Sequence, residues 1–559
     1  MENVYSFDIF DTLLLRPYAD PQEVWKVLEE EENASGFAKV RKEADRITYA
    51  ALKTKGGETS IEEAYELIPQ WKHLMQKEMD LERRVLRANP ETLRWWNDLG
   101  KEGKRRIIIS DMYLPSDFIK SVLIENGFEG WDAFYLSRDY NARKVTGELF
   151  KIVLENEQIQ SHQLVHTGDN KHSDVNVPNR MGIITRYYTK VIERLYEQFP
   201  FTKKIDGRLA GVLAIGLHQF KFETPENTYW HRLGFMMAGV LGYIYVKWIV
   251  ETSRSLGINH LMFVARDGYI WEKICNALYP DIKTNYFYAS RLTSIAVLGA
   301  IGSDPWAIKD RQNYIDTHLR GADLNKIKEE YTNYINRFQI DKKTALIDGC
   351  SSGFSAQRLV EKVIGKNVFS FYLLAMAPKH NAASLYSTHL YSLQFQMLSE
   401  FLFGAPEHPI VGVFSNGPIY ADLISKEEEF KISVSQQIMK GAVECAKILK
   451  ENNINLSAGE WLDYVDNFMK YRTLEDKNEL NKARNAADVE QKDFHTIDYD
   501  PYPRHGFYIV RKKWRVPISF CYTTLSNRYQ ISFSRKGVSV TKINVATEFN
   551  DICLNTLER

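Results

Sequence analysis

Residues 6–14, SFDIFDTLL, constrain this chain more than any other stretch. An apolar run long enough for a β-strand stops at two aspartates, Asp8 and Asp11, with Thr12 beside them. Carboxylates are costly to bury, so they mark the end of the strand rather than its middle. In a parallel α/β sheet that end is where ligands bind. Two more strand-like runs finish the same way. Residues 106–109 end at Ser110, and 164–166 lead into TGDNKHSD, which carries Asp169 and Asp174. Lys144, in NARKVTG, stands directly before a helical run, where a cation adds to the pull of a helix N-terminus on an anion.

Together these residues supply a nucleophilic carboxylate, two carboxylates for a hard cation, a hydroxyl and a lysine. Mg²⁺ prefers such oxygen ligands, and cation plus lysine would neutralise a phosphoryl group during in-line transfer to Asp8. Singly, each has a bland reading, since strand-end aspartates cap turns and most lysines are solvated. Their order on successive strand ends is what points to chemistry. The surrounding pattern is α/β, with strand-like runs at 4–10, 106–109, 133–136, 164–166 and 182–187. Between the first two lie helical stretches at 21–32, 37–51, 60–67 and 72–86, which predict an accessory helical lid at about 18–88.

These pieces resemble the four motifs of the haloacid dehalogenase (HAD) superfamily of hydrolases, most of which are phosphatases. Asp8-Ile9-Phe10-Asp11-Thr12 is similar to the first motif, Asp-x-Asp-x-Thr. Ser110 matches the second, Lys144 the third, and Gly168-Asp169 with Asp174 the fourth. The resemblance covers residues 1–195. It implies a Rossmannoid parallel sheet with a helical cap, and Mg²⁺ held by Asp8, the Phe10 carbonyl, Asp169 and Asp174. It also implies phosphohydrolase or phosphotransferase chemistry through an aspartyl-phosphate on Asp8. One position departs. The family's second Asp, its general acid/base, is Phe10 here, and a phenyl ring transfers no proton. General acid–base catalysis contributes about 10²–10⁴-fold. Asp11 is the nearest carboxylate and joins Asp8, Ser110 and Lys144 as a catalytic candidate, although strand alternation would turn it away from Asp8. Three readings stay open: a phosphatase whose acid is Asp11 or lies in the cap, a phosphotransferase using another domain's group, and a phosphate-binding or scaffold protein.

Residues 196–455 read as a second α/β domain. Strand-like 260–264 runs into Arg266-Asp267-Gly268, another strand ends at Ser290-Arg291, and a third reaches Asp348 and the Gly/Ser loop 349–355. Such a loop can offer backbone N–H groups and a helix N-terminus to an anion. It is also what any tight turn uses. The binding candidates are Arg266, Asp267, Arg291, Asp348, Ser351, Ser352, Gly353 and Ser355. This stretch resembles the phosphoribosyltransferase diphosphate-sugar loop, Asp-Asp-x-x-Thr-Thr-Gly-x-Ser/Thr, with Ile347 in place of the first acid. The two-part arrangement is similar to predicted bacterial proteins associated with surface-polysaccharide synthesis. That resemblance implies a phosphorylated sugar or sugar–lipid substrate. Residues 400–409, EFLFGAPEHP, read either as core packing before a turn or as a loop closing over a site.

Residues 456–500 read as a helical, charged linker, and 501–559 as a small basic β-rich region with ten Lys/Arg against three Asp/Glu. Aromatics among those cations would suit single-stranded nucleic acid. A basic rim is the preferred reading, because the whole chain balances 72 Lys+Arg against 72 Asp+Glu and carries no reader motif. Five scattered cysteines show neither metal spacing nor a disulfide framework, which suits a cytoplasmic protein. The first residues lack a basic leader, and the apolar run at 233–246 is shorter than the roughly 18–20 residues of a membrane span. The expected partner is a small phosphorylated substrate; nucleic acid and membrane are not expected, and self-association is left open.

Overall fold

A computed structural model of the chain describes residues 3–55, 57–298, 323–351, 354–375, 381–387, 393–486, 494–496, 508–511, 519–523, 527–534 and 537–544. The chain forms two compact units, Met1–Pro225 and Glu226–Arg559. Its architecture is α/β: a five-stranded parallel sheet with a helical cap, a second α/β domain and a small β-rich C-terminal region.

In the first unit, five strands form one parallel sheet: β1 (Val4–Phe7), β2 (Arg106–Ser110), β3 (Ala133–Leu136), β4 (Leu164–Gly168) and β5 (Ile184–Tyr187). Their spatial order is β3-β2-β1-β4-β5, so the connections reverse direction at β1. That reversal opens a crevice beyond the carboxyl end of β1, where Asp8 stands. Alternation sets the two faces. Phe7 and Ile108 point into one hydrophobic core, and Ile107 and Ile109 into the other. The strand expected over 4–10 stops at Phe7, because the chain turns sharply at Asp11, whose φ is +55°.

The cap leaves and rejoins the sheet through a two-stranded ladder, Leu14–Leu15 against Arg87–Ala88. Between them lie helices Glu23–Glu31, Phe37–Lys55, Ile61–Glu66 and Met75–Val85. Their core holds a buried ion pair. Arg41 donates from Nε and one terminal nitrogen to Glu78 at 2.9 and 3.0 Å, and Tyr65 donates to the same carboxylate at 2.7 Å. The unit also takes in helix Gly207–Glu223, which lies beyond residue 195. Gly211 sits so close to the Tyr18 backbone that a Cβ would come within 2.5 Å of it, and His218 Nε2 meets Asn89 Oδ1 at 3.1 Å.

The second unit has its own five-stranded parallel sheet: β6 (His260–Val264), β7 (Lys283–Phe287), β8 (Thr344–Ser351), β9 (Phe369–Ala375) and β10 (Ala382–Ser387). The order β10-β9-β8-β6-β7 puts the reversal between β6 and β8. The apolar run at 233–246 lies within one continuous helical stretch, Tyr229–Ser255. That stretch is long and apolar enough to cross a membrane, and nearly all of its most apolar part is buried inside the protein. Apolar residues on every face are what a central core helix requires. Helix Lys426–Glu451, which the sequence left unassigned, packs against it. Within the expected linker, helix Ala458–Lys470 buries Trp461, Leu462, Tyr464, Val465 and Phe468. Its charged residues conceal a continuous apolar stripe. In 400–409, Phe401, Leu402, Phe403 and Ala405 are buried, so that stretch is core packing. Strands Tyr508–Arg511, Ser519–Thr523, Asn527–Ser534 and Gly537–Asn544 form an antiparallel meander. The basic and aromatic side chains there lie outside the described residues.

Candidate functional site

At the carboxyl ends of β1 and β4 the structure brings Asp8, Lys144, Asp169 and Asp174 together. The Asp8 amide is pinned to the β4 carbonyl of Thr167 at 2.9 Å. Lys144, almost wholly buried, donates from Nζ to Asp8 Oδ1 and Asp174 Oδ1, each at 2.6 Å. The other Asp8 oxygen makes no hydrogen bond to a described residue. Asp111 Oδ1 accepts the Lys144 amide at 2.7 Å and so fixes where the lysine emerges. Asp174, 0% exposed, is also held by the Asn170 amide at 2.9 Å and by His166 Nε2 at 3.3 Å. With that His166 nitrogen turned to the carboxylate, Nδ1 is left to accept from the Ser6 hydroxyl at 2.8 Å. Gly168 makes room for this arrangement, since a Cβ there would fall 2.4 Å from Asp174 Oδ2. Ser110 closes the strand beside β1, and its buried hydroxyl has no hydrogen-bond partner among the described residues.

Asp8, Asp169 and Asp174 each offer an oxygen within 4.8 Å of the others, a grouping able to hold one metal ion. The electrostatics fit a hard cation. Burial, reinforced by Asp174 and Asp169, outweighs the pull of Lys144 and pushes the Asp8 carboxyl up to about 7. Burial also raises Asp169, partly offset by Lys190. At Asp174 the effect of burial is overcome by Lys144 and His166, which hold it well below the usual carboxylate range. Four carboxylates, counting Asp11, pair with two lysines among the described residues. All-oxygen donors with a deficit of positive charge suit Mg²⁺. The Phe10 carbonyl, implied as a further ligand, accepts no hydrogen bond from a described residue.

Asp11 does not simply turn away. Its left-handed backbone, which Asp tolerates better than most residues, carries the carboxylate to Lys190 at 2.9 Å. Lys190 simultaneously holds Asp169 at 3.0 Å, so the candidate acid is engaged in a clamp. Phe10 packs against the cap-side core with the Arg16 guanidinium 4.2 Å above its ring. Sequence reasoning missed Lys190, His166 and Arg16. Each enters through tertiary contact, and only the run of acids around position 11 hinted that a cation was needed.

In the second unit, Arg266 and Asp267 follow β6 and Asp348 lies in β8, all beside the sheet's reversal. Arg266 is left-handed (φ +74°); its amide donates to the Tyr286 hydroxyl at 2.6 Å and its guanidinium pairs with Glu428. Gly349 leaves space for the Asp267 carboxylate, 2.6 Å from where a Cβ would be. Burial and the neighbouring Asp267 push Asp348 up to about 7. Burial also raises the Cys350 thiol well above its ordinary range, unlike an activated nucleophile. Ser355 opens helix Ser355–Ile364. The side chains of Arg291 and Ser351, and all of Ser352 and Gly353, lie outside the described residues.

No protein-family model matches the chain, and no curated protein matches it. Solved structures do. A putative HAD-hydrolase from Bacillus subtilis, bound to magnesium, is 17% identical over 35% of this chain and 98% of that one, with a TM-score of 0.28. A HAD family enzyme from Bacteroides thetaiotaomicron, in complex with magnesium and inorganic phosphate, is 16% identical over 34% and 96%, with a TM-score of 0.28. An L-2-haloacid dehalogenase from Xanthobacter autotrophicus, with chloropropionic acid covalently bound, is 14% identical over 35% and 83%, with a TM-score of 0.27.

Proposed function

We propose that the first unit is a HAD-type, Mg²⁺-dependent phosphohydrolase or phosphotransferase that acts on a small phosphorylated metabolite through an aspartyl-phosphate on Asp8. The observation that carries this reading is the split engagement of Asp8: Lys144 holds Oδ1, while the second oxygen has no described partner and can attack. Lys144 and the Ser110 hydroxyl are the groups for the transferred phosphoryl oxygens, whose charge spreads during an in-line displacement. Asp169 and Asp174, with Asp8 and the Phe10 carbonyl, would hold the Mg²⁺. When bound, that ion supplies positive charge against the phosphoryl oxygens. His166 and Asn170 orient Asp174, and Asp111 orients Lys144. The cap would exclude water and contact the rest of the substrate.

Sugar phosphates are the first compounds to test. The full chain with Mg²⁺ should release phosphate from at least one phosphorylated metabolite, and acid quenching should trap phosphate covalently on Asp8. Asp8→Asn should abolish both signals while phosphate-ligand binding persists. Binding without turnover or trapping, across a broad panel of phosphorylated compounds, would leave a scaffold instead of an enzyme.

A further inference from the structure

The position two residues after Asp8 lacks a carboxylate, and what occupies its neighbourhood is a cation. Arg16 lies with its guanidinium carbon 4.2 Å from the Phe10 ring centroid. Its side chain is only 10% exposed, and Nε is anchored at 2.9 Å to Glu82 of the cap helix Met75–Val85. The two terminal NH₂ groups make no hydrogen bond to a described residue. The Tyr113 hydroxyl, in the loop after Ser110, is also without a hydrogen bond to a described residue. Burial works against the Arg16 charge, and Glu82, with smaller contributions from Tyr113 and Asp11, more than offsets it.

A buried guanidinium is normally spent on protein acceptors. Here Glu82 takes one edge and the aromatic face supports the cation without accepting its N–H groups. An aspartate in place of Phe10 would do the opposite: it would pair with Arg16 and repel an anion arriving there. Phe10 therefore removes a proton donor and at the same time keeps a cation available. Those are the demands of a leaving group that departs as a stable anion and needs no proton.

Resting on the phosphoryl-transfer reading above, we infer that the substrate is a phosphoric anhydride, whose departing phosphate is received by the Arg16 guanidinium. Asp8 Oδ2 forms the new bond to the terminal phosphorus as the bond from that phosphorus to the bridging oxygen breaks. The electron pair goes to the bridging oxygen, which leaves as phosphate oxyanion. Water then attacks the aspartyl-phosphate phosphorus, the bond to Asp8 breaks to regenerate the carboxylate, and the water's proton leaves with the released phosphate. An alkyl ester would instead expel an alkoxide, for which the Phe10 position offers no acid.

The test uses the full chain with Mg²⁺ and three probes: inorganic pyrophosphate, 4-nitrophenyl phosphate and glycerol phosphate. Pyrophosphate should exceed glycerol phosphate in kcat/KM by about 10²-fold or more, the span that general acid catalysis supplies. Arg16→Gln should lower pyrophosphate turnover about 10²-fold, as loss of one charge-stabilising donor does, and affect the aryl ester far less. Because Arg16→Gln also releases Glu82, Phe10→Asp provides a variant with the anchor intact. It should slow pyrophosphate and quicken glycerol phosphate. By calorimetry, Asp8→Asn protein should bind pyrophosphate at least tenfold more tightly than phosphate, and Asp8→Asn/Arg16→Gln should lose that preference. Equal turnover of all three probes, or an equal loss on all three in Arg16→Gln, overturns the anhydride inference and leaves the phosphatase reading standing. Arg16-dependent pyrophosphate binding with no turnover of any probe overturns the phosphoryl-transfer reading, and the hydrolytic inference with it.

Discussion

At the scale of single residues, Asp8 and Asp174 should respond oppositely to the same change. Burial and its acidic neighbours disfavour ionised Asp8, and its raised folded value means that its charge costs stability at neutral pH and above. Asp8→Asn should therefore raise the metal-free melting temperature, by about 2–4 °C for each kcal/mol recovered, while abolishing turnover. Asp174 is the main partner of buried Lys144, and Asp174→Asn should cost about 3 kcal/mol as well as metal affinity. Paired thermal melts without metal decide this, and two shifts of the same sign would refute it. Asp11 calls for a smaller effect. Held by Lys190, it is poorly placed to deliver a proton, so Asp11→Asn should lower turnover less than about 10-fold, below the span of a general acid. The sequence made Asp8 and Asp169 legible because strand ends fix their positions locally, and Lys144 and Asp174 because they lie in short helical segments close behind such strands. It could not show that Asp11 would enter a left-handed turn, or that Lys190, 179 residues away, would meet it there.

At the scale of elements, the cap depends on the pair Arg41–Glu78, both fully buried side chains. Glu78→Gln leaves the guanidinium with Asp45 at 3.8 Å as its remaining carboxylate and should cost about 3 kcal/mol; the double change Arg41→Met/Glu78→Leu should cost less than either single one. A double-mutant cycle on thermal stability measures this. Helix Gly207–Glu223 brings a pH dependence. Burial depresses the His218 imidazole from 6.5 to about 4, so protonation favours the unfolded chain. The associated stability is complete above about 6.5 and lost as pH falls toward 4, by up to about 3 kcal/mol. Denaturant melts between pH 7 and 4 should show this slope, and His218→Asn should flatten it. The cap helices were legible from their periodicity. Helix Gly207–Glu223, with the small residues Gly207, Ala210, Gly211, Ala214 and Gly216 among its apolar ones, presents no such stripe. Its role emerges only from close approach to Tyr18 and Asn89.

At the scale of the molecule, the question is how much chain the proposed chemistry requires. The motif pattern ends near residue 195, but the first compact unit extends to Pro225, and the added segment is tied to the site. Asn89 connects the two. His218 meets its Oδ1, while its Nδ2 donates to the Thr12 carbonyl at 2.7 Å, immediately behind the turn that follows Asp8. Gly207 accepts the Ala19 amide at 3.2 Å, and Arg208 pairs with Glu30 of the cap at 3.1 Å. A fragment of residues 1–225 should therefore fold cooperatively and turn over the preferred substrate within about 10-fold of the full chain. The fragment 1–195 keeps every motif residue but leaves Asn89 and Tyr18 without their supports. It should melt at a lower temperature and lose most of its turnover, since small displacements at the reacting centre cost about 10²-fold. Comparing kcat for the two fragments and the full chain also tests where the proton donor lies. If 1–225 is folded but has lost turnover by the 10²–10⁴-fold typical of a missing acid, the acid comes from the second unit and Phe10 is compensated there. Retained turnover in 1–225 places the whole reaction within the first unit, with a leaving group that requires no acid.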